Sequence, residues 1–447
     1  MNPHALEQAR AFDAERRAGR VRGRMHGIPI LVKDNIDVAG LVTSAGSVAL
    51  GDHRAKNDAP VIARLRAAGV VILGKTNLSE WANMRSDHSI SGWSSLGGQT
   101  RNPYVLDRTA CGSSSGTAAA ISAGLAVAGL GTETDGSIMC PSSVTGLVGM
   151  KATVGVFSTA GVVPISTSQD VVGPMARTVA DAAAMFGAMH PPPSKRGGAI
   201  DYVRSIKGYK IRGLRVGVIR PAFGFHRDVE RVMESTIKAL EAAGATVGDA
   251  PFPTLGRWFR PELEVLLYEF GPALNAYLEA TDAPLKSLAA VIDYNIEHAS
   301  TVMPLFGQDL LIRARDKGPL TEQTYLDARA TAVRLAGTDG IDAALAAGPF
   351  DVLLTSAVGP AWTIDPLNGD HFRGSGYGAA AVAGYPSITV PAGHAHGLPI
   401  GVVFMGPKHG GNLLLDVAFA FEQQTRARIE PTYKKTLGPV LSDRPNE

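Results

Sequence analysis

The sequence predicts an α/β fold organised around one large mixed β-sheet. Helical and strand-like apolar patterns alternate within residues 58–84, and short apolar strands recur on both sides of a long helical stretch. With 447 residues, 45% hydrophobic and 19% charged, the chain can bury the core such a sheet needs. That length suits about three ordinary domains or one large domain with insertions. Strand signals towards both ends of the chain favour one domain over residues 1–447, with a mostly helical insertion at 220–345 lying over the sheet.

The elements follow in chain order. Residues 1–20 have the spacing of a charged amphipathic helix and lack the apolar core of a signal peptide. D-A-P-V-I-A-R-L-R-A-A (58–68) is helical and stops at Gly69, residues 70–73 form a strand, and 77–84 a following helix. The apolar run 118–130 predicts a buried helix, because it falls short of the ~20 residues of a membrane span. Residues 144–150 and 154–157 read as strands and 180–189 as a helix. P-P-P-S-K-R-G-G (191–198) cannot continue that helix and reads as a surface linker. A strand at 214–219, a helix at 228–243 and a mostly helical stretch at 256–345 come next. Residues 350–355, 387–391 and 400–405 restore the strand pattern.

Composition narrows the function. A formal charge of +2 gives no footprint for nucleic acid or an anionic membrane. The 11 histidines are scattered, with no cluster at metal spacing, so neither a metal nor another cofactor is expected. Cys111 and Cys140 read as small buried residues without a disulfide framework, which fits a reducing compartment and predicts a cytoplasmic protein.

Two motifs mislead. G-V-V-I-L-G-K-T (69–76) spells a P-loop, but its middle letters are the predicted strand and cannot also be a phosphate cradle. G-S-S-S-G (112–116) spells a nucleophile elbow, which would make Ser114 the nucleophile. The elbow needs a buried strand before it, and N-P-Y-V-L-D-R-T-A (102–110) is a poor one. His371, His394 and His396 follow only in plain loop contexts.

Three other segments carry the chemistry: V-K-D-N (32–35), C-G-S-S-S-G-T (111–117) and G-T-E-T-D-G-S (131–137). Gly/Ser loops at element ends expose hydroxyls and backbone N–H groups to a reacting carbonyl, and a distant lysine can take a serine proton. Taken singly, such serines are mostly turn formers and such a lysine is mostly solvated. The candidates as a set are Lys33, Ser113 and Ser137.

With these segments the chain resembles the amidase signature family, and within it the peptide amidase branch. The resemblance runs through H-G-I-P-I-L-V-K-D-N (26–35), G-K-T-N-L-S-E-W-A-N (74–83), G-G-Q-T-R-N-P-Y (97–104) and the two Gly/Ser segments. It continues through G-L-V-G-M-K-A-T-V-G (146–155), S-Q-D-V-V-G-P-M-A-R-T-V-A-D (168–181), A-G-Y-P-S-I-T-V-P-A-G (383–393) and G-L-P-I-G-V-V-F-M-G (397–406). It implies the amidase signature fold: a large twisted mixed β-sheet flanked by α-helices on both faces, with the insertion covering the active-site cleft. It also implies a catalytic trio of Ser137 as nucleophile, Ser113 as bridging serine and Lys33 as base, with a cis peptide bond at Gly112–Ser113. Ser114 and Gly112 would support the loop, and the oxyanion hole would come from the N–H groups of Thr134, Asp135, Gly136 and Ser137.

Lysine can act as a base only if burial away from carboxylates lowers its pKa from about 10.4 towards 7–8. The preceding I-P-I-L-V suits that burial, and Asp34, adjacent along an extended segment, points to the opposite face as an anchor elsewhere. Glu133 and Asp170 read as hydrogen-bonded anchors, and Trp81 and Trp93 as core tryptophans or channel lining. The loop at 356–362 and the helical insertion are the expected sites of substrate choice.

The expected activity is cofactor-free hydrolysis of a linear amide, a peptide C-terminal amide or an aryl or alkyl amide, with release of ammonia or an amine. The alternatives are a carbamate (urethane) or ester hydrolase with the same trio and, from another class, an amidotransferase subunit. Met139, where many members carry arginine, speaks against the last. The expected partners are a small-molecule or short-peptide substrate only, with the chain a monomer or homodimer. Family members extend further upstream of the matching region than this chain does.

Overall fold

The computed structural model describes residues 1–190 and 201–438, so the linker expected at 191–198 lies outside the described residues. The strands in chain order are β1 (Pro29–Lys33), β2 (Val71–Thr76), a short ribbon of β3 (Trp93–Ser94) and β4 (Gly98–Gln99), then β5 (Ala128–Glu133), β6 (Val148–Lys151) and β7 (Val171–Ala176). They continue as β8 (Arg215–Val218), β9 (Thr246–Asp249), β10 (Val352–Ser356), β11 (Ser387–Ala395) and β12 (Leu398–Met405). Ten of them form one mixed sheet in the order β2-β1-β5-β7-β6-β11-β12-β10-β8-β9. The expected fold class is the one observed.

Each strand feeds two cores through its period of two. Ile30 and Val32 pack with the helices Pro60–Ala67, Val179–Met189, Arg227–Ala242 and Gly411–Thr425. Leu31, between them, packs with Ser115–Ser122, Met139–Val144 and Gly378–Ala383 on the other face. A third core joins the helices Phe259–Ala280, Leu288–Glu297 and Asp309–Arg315 to Leu50, Trp81, Met84, Val163 and Ile165. No helix among the described residues is long and apolar enough to cross a membrane.

Five expectations are corrected. The run 118–130 is not one helix: Ser115–Ser122 ends at Gly124, whose φ is +77°, and Ala128–Glu133 is a strand buried on both faces. Periodicity cannot separate a buried helix from such a strand. Residues 77–84 do not form an α-helix, because Trp81, Ala82 and Asn83 all have positive φ within a short 3₁₀ turn. Residues 144–150 divide between the Met139–Val144 helix and β6, and 154–157 form a turn rather than a strand. The stretch 220–345 is not all cover: the Arg227–Ala242 helix joins the first core and β9 edges the sheet, so the cover starts near Phe259. The unpaired cysteines are corrected below.

The cover docks through one face of Phe259–Ala280. Glu262, Glu269 and Tyr277 recur at about two-turn spacing. Glu262 accepts from Gln169 Nε2 (2.9 Å), Glu269 from Ser166 Oγ (2.6 Å) and Ser168 N–H (3.0 Å), and Tyr277 donates to Asp37 (2.8 Å). A second clamp is Arg85, fully buried and paired with Glu80 at 3.0 Å. Its guanidinium donates to the carbonyls of Val302 (2.7 Å), Phe306 (2.7 Å) and Gly307 (3.0 Å) and sits 4.3 Å from the Phe306 ring centroid. Trp93 packs against the same phenylalanine, so Trp81 and Trp93 both belong to cores. Arg85→Met leaves Glu80 buried without its cation and is expected to cost about 3–5 kcal/mol. Thermal unfolding checks this, and an unchanged melting temperature would remove Arg85 as a clamp.

Candidate active site

Three parallel strands, β2-β1-β5, end together, and their carboxyl ends hold the site. Lys33, the last residue of β1, is fully buried opposite Thr76 of β2. Its Nζ donates to Ser113 Oγ at 2.6 Å, Thr132 Oγ1 at 2.8 Å and the Thr132 carbonyl at 3.3 Å. All three partners are neutral. Burial pushes the Lys33 ammonium down to about 7, against the upward pull of Asp170 and Glu133.

The neighbouring carboxylate is held elsewhere. Asp34 pairs with Lys75 at 2.9 Å and accepts from the Ser44 hydroxyl and N–H. Lys75, the lysine of the P-loop-like letters, also donates to the Val42 carbonyl (2.9 Å) and Thr43 Oγ1 (3.1 Å). Those letters are strand β2 and no phosphate cradle.

The first Gly/Ser segment enters by a cis Gly112–Ser113 peptide bond, as the family resemblance implied. Gly112 is required there because a Cβ would collide with Ser79 Oγ. The Ser113 carbonyl accepts from Ser79 N–H at 3.1 Å, which fixes the turn. Ser114 does not face substrate: its Oγ donates to the Thr132 carbonyl (3.1 Å) and its N–H to the Ser137 carbonyl (3.2 Å). It ties the two Gly/Ser segments together and makes no bond to Lys33.

A disulfide does the same. Cys111 and Cys140, 29 residues apart, are bonded across a Cα separation of 6.0 Å. This corrects the reading of both as unpaired, and the inference of a reducing compartment loses that support. Cysteine counting misses it because only the fold brings the turn at Cys111 against the helix start at Cys140.

The second segment is organised by Glu133, the last residue of β5. Its carboxylate accepts from Ile138 N–H (2.7 Å) and Met139 N–H (2.9 Å), curling residues 134–138 around it. Thr134 Oγ1 donates to Asp170 at 2.6 Å, and Asp170 accepts from the N–H groups of Ile165 and Ser166. Glu133 and Asp170 are thus anchors. Among the described residues the N–H groups of Thr134, Asp135 and Ser137 find no acceptor. Gly136 has φ +76°, and a Cβ there would enter the Tyr377 ring.

Ser137, 7% exposed, opens with Thr134, Asp135, Cys111 and Gly112 into a cavity of about 650 Å³. Phe259, Leu263, Leu266 and Leu310 of the cover form its far wall. Behind the loop lie further ionisable groups. Burial, reinforced by Glu133, raises the Asp135 carboxyl, and burial with Asp135 nearby raises Glu262. Burial lowers Lys151 to about 8. Tyr377, Glu262 and Asp370 escaped sequence reading, because each comes from a distant segment with no motif around it, and Gln169 was passed over within the 168–181 segment beside Asp170. Of the 356–362 loop, Gly359, Pro360, Ala361 and Trp362 line a neighbouring cavity, and Trp362 Nε1 also reaches Asp370 of this one at 3.0 Å.

A family model described as Amidase matches residues 1–415. A probable amidase of Arabidopsis thaliana is 37% identical, covering 97% of this chain and 83% of that protein. The A subunit of the Glutamyl-tRNA(Gln) amidotransferase of Symbiobacterium thermophilum is 34% identical over 95% of this chain and 88% of its own length. Among solved structures, the native peptide amidase of Stenotrophomonas maltophilia superposes with a TM-score of 0.92 at 48% identity, over 97% of this chain and 90% of that one.

Gly136→Ala tests the loop geometry. Displacing residues 134–137 from Tyr377 is expected to lower kcat/KM on an amide by about 100-fold or more with the secondary structure retained. Steady-state kinetics with circular dichroism checks it, and a wild-type rate would show that the close approach is immaterial.

Proposed function

The chain belongs to the amidase family, and on that premise we propose that it cleaves linear amides through an acyl-enzyme on Ser137. The observation that carries this reading is the buried Lys33–Ser113 hydrogen bond of 2.6 Å, with the lysine lowered to about 7. Ser137 Oγ attacks the amide carbonyl carbon. Its proton passes to Ser113 Oγ, whose own proton passes to neutral Lys33 Nζ. The oxyanion forms against the free N–H groups of Thr134, Asp135 and Ser137, while that of Gly136 is turned to Glu133; each such donor is typically worth ~3–4 kcal/mol of barrier. The tetrahedral intermediate collapses as Lys33 returns the proton through Ser113 to the leaving nitrogen, releasing ammonia or an amine. Water then attacks the ester by the reverse route, giving the carboxylic acid and free Ser137. Every group in this relay comes from the chain itself.

The substrate that fits best is the C-terminal amide of a short peptide. The 48% identity to a peptide amidase supports this, and so does the apolar wall of Phe259, Leu263 and Leu266 facing Ser137. Hydrolysis is preferred over a role as an amidotransferase subunit because Met139, fully buried, stands where arginine is common elsewhere in the family.

Two outcomes follow. Ser137→Ala lowers kcat/KM by about 10⁴ or more with the fold intact, and retained turnover would exclude Ser137 as nucleophile. Lys33 accepts a proton only when neutral, so kcat/KM rises with pH by about tenfold per unit below about 7 and levels above it. A rate that is flat from pH 5 to 9 (~2 units either side of neutrality) would remove Lys33 as the base.

A further inference from the structure

The cavity in front of Ser137 carries an electrostatic asymmetry. Three aspartates line it, Asp87, Asp135 and Asp370, and among the described residues no lysine, arginine or histidine does. Two of the three are less suited to a cation. Asp87 is exposed and pairs with Arg313 at 2.9 Å. Asp135 has an oxygen without a hydrogen-bond partner, but burial, reinforced by the neighbouring Glu133, raises its carboxyl and so disfavours the charge a cation would need.

Asp370 differs. One carboxylate oxygen accepts from Trp362 Nε1 (3.0 Å) and weakly from Ser91 N–H (3.3 Å), and the other from the same Ser91 N–H at 3.1 Å. These neutral donors lock the carboxylate, and among the described residues no cation lies within 4.0 Å of it. The adjacent His371 turns its ring to Asp365 instead. A carboxylate has about four lone-pair sites, so acceptor capacity remains. Burial raises the Asp370 carboxyl, as expected for a charge set in a largely apolar cavity without a counter-ion.

We infer that Asp370 is a specificity residue that receives a cationic group of the substrate, an ammonium or guanidinium, while the amide reacts at Ser137. The proposal rests on the amidase reading above. In a cavity walled by Phe259, Leu263, Phe372 and Met84, such a pair is weakly screened, so the charge discriminates strongly. The same asymmetry disfavours substrates with a free carboxylate, which find no basic partner in the cavity.

Two matched substrate pairs test it. One compares a dipeptide amide bearing neutral side chains with its N-acetyl derivative, and the other compares N-acetyl-lysine amide with N-acetyl-norleucine amide. The expected result is a kcat/KM ratio of about tenfold or more for the cationic member of at least one pair. The responsive pair tells whether the cation is the amino terminus or a side chain. Asp370→Asn should bring that ratio close to one. A ratio near one for both pairs in the wild type, or a preference that survives in Asp370→Asn, overturns the proposal. Turnover of none of the four amides would instead overturn the amidase reading. A wild-type measurement removes dependence on the variant's folding: hydrolysis of a neutral amide should be inhibited about tenfold more strongly by an n-alkylammonium than by the matching alcohol. Equal inhibition contradicts a cation site.

Discussion

The site depends on a lysine buried without a carboxylate. Lys33 ends β1, one strand in from the β2 edge of the sheet, where every direct partner of its Nζ is a hydroxyl or a carbonyl. A pKa lowered to about 7 corresponds to a preference for the neutral amine, relative to lysine in water, on the order of 5 kcal/mol. That preference survives because surrounding charges are diverted. Asp34 is bound by Lys75 and Ser44, Asp170 by Thr134 and two backbone N–H groups, and Glu133 by Ile138 and Met139. Each carboxylate that could hold Lys33 charged has another task, and for Glu133 and Asp170 that task shapes the loop around Ser137.

The sheet and the cover divide the work. The ends of β1 and β5, with the turn before Ser115–Ser122, supply the groups of the proposed proton relay and the loop of free N–H donors. The cover supplies the apolar wall and is fixed to that loop region through Gln169–Glu262 and Ser166–Glu269. Changes in the cover can therefore alter what enters the cavity while the buried relay stays unchanged. The disulfide between Cys111 and Cys140 and the Ser114 bridge hold the two serine segments in register from beneath.

Much of this architecture was readable in advance where a signal was local. The strands read from apolar runs at 70–73, 350–355, 387–391 and 400–405, and the helix at 228–243, fall on Val71–Thr76, Val352–Ser356, Ser387–Ala395, Leu398–Met405 and Arg227–Ala242, with ends that differ by a few residues. The meeting of Lys33 and Ser113 was readable only through family resemblance, because 80 residues separate them. Misreadings occurred where tertiary packing overrode pattern. Ala128–Glu133 is glycine-rich because Gly129 must accommodate Thr117 of the adjacent helix, and the same glycines mimic a small-residue helix. Residues 81–83 have helical letters but positive φ. Tyr377, Glu262 and Asp370 carry no local motif, and only the fold gives them a place at the site.

The most direct test of the account is to trap the nucleophile. The protein is treated with a serine-directed fluorophosphonate, digested, and the adduct located by mass spectrometry. The account predicts a single adduct on Ser137, with Ser113, Ser114 and Ser115 unmodified. An adduct on Ser114, as the G-x-S-x-G letters would have it, contradicts the account.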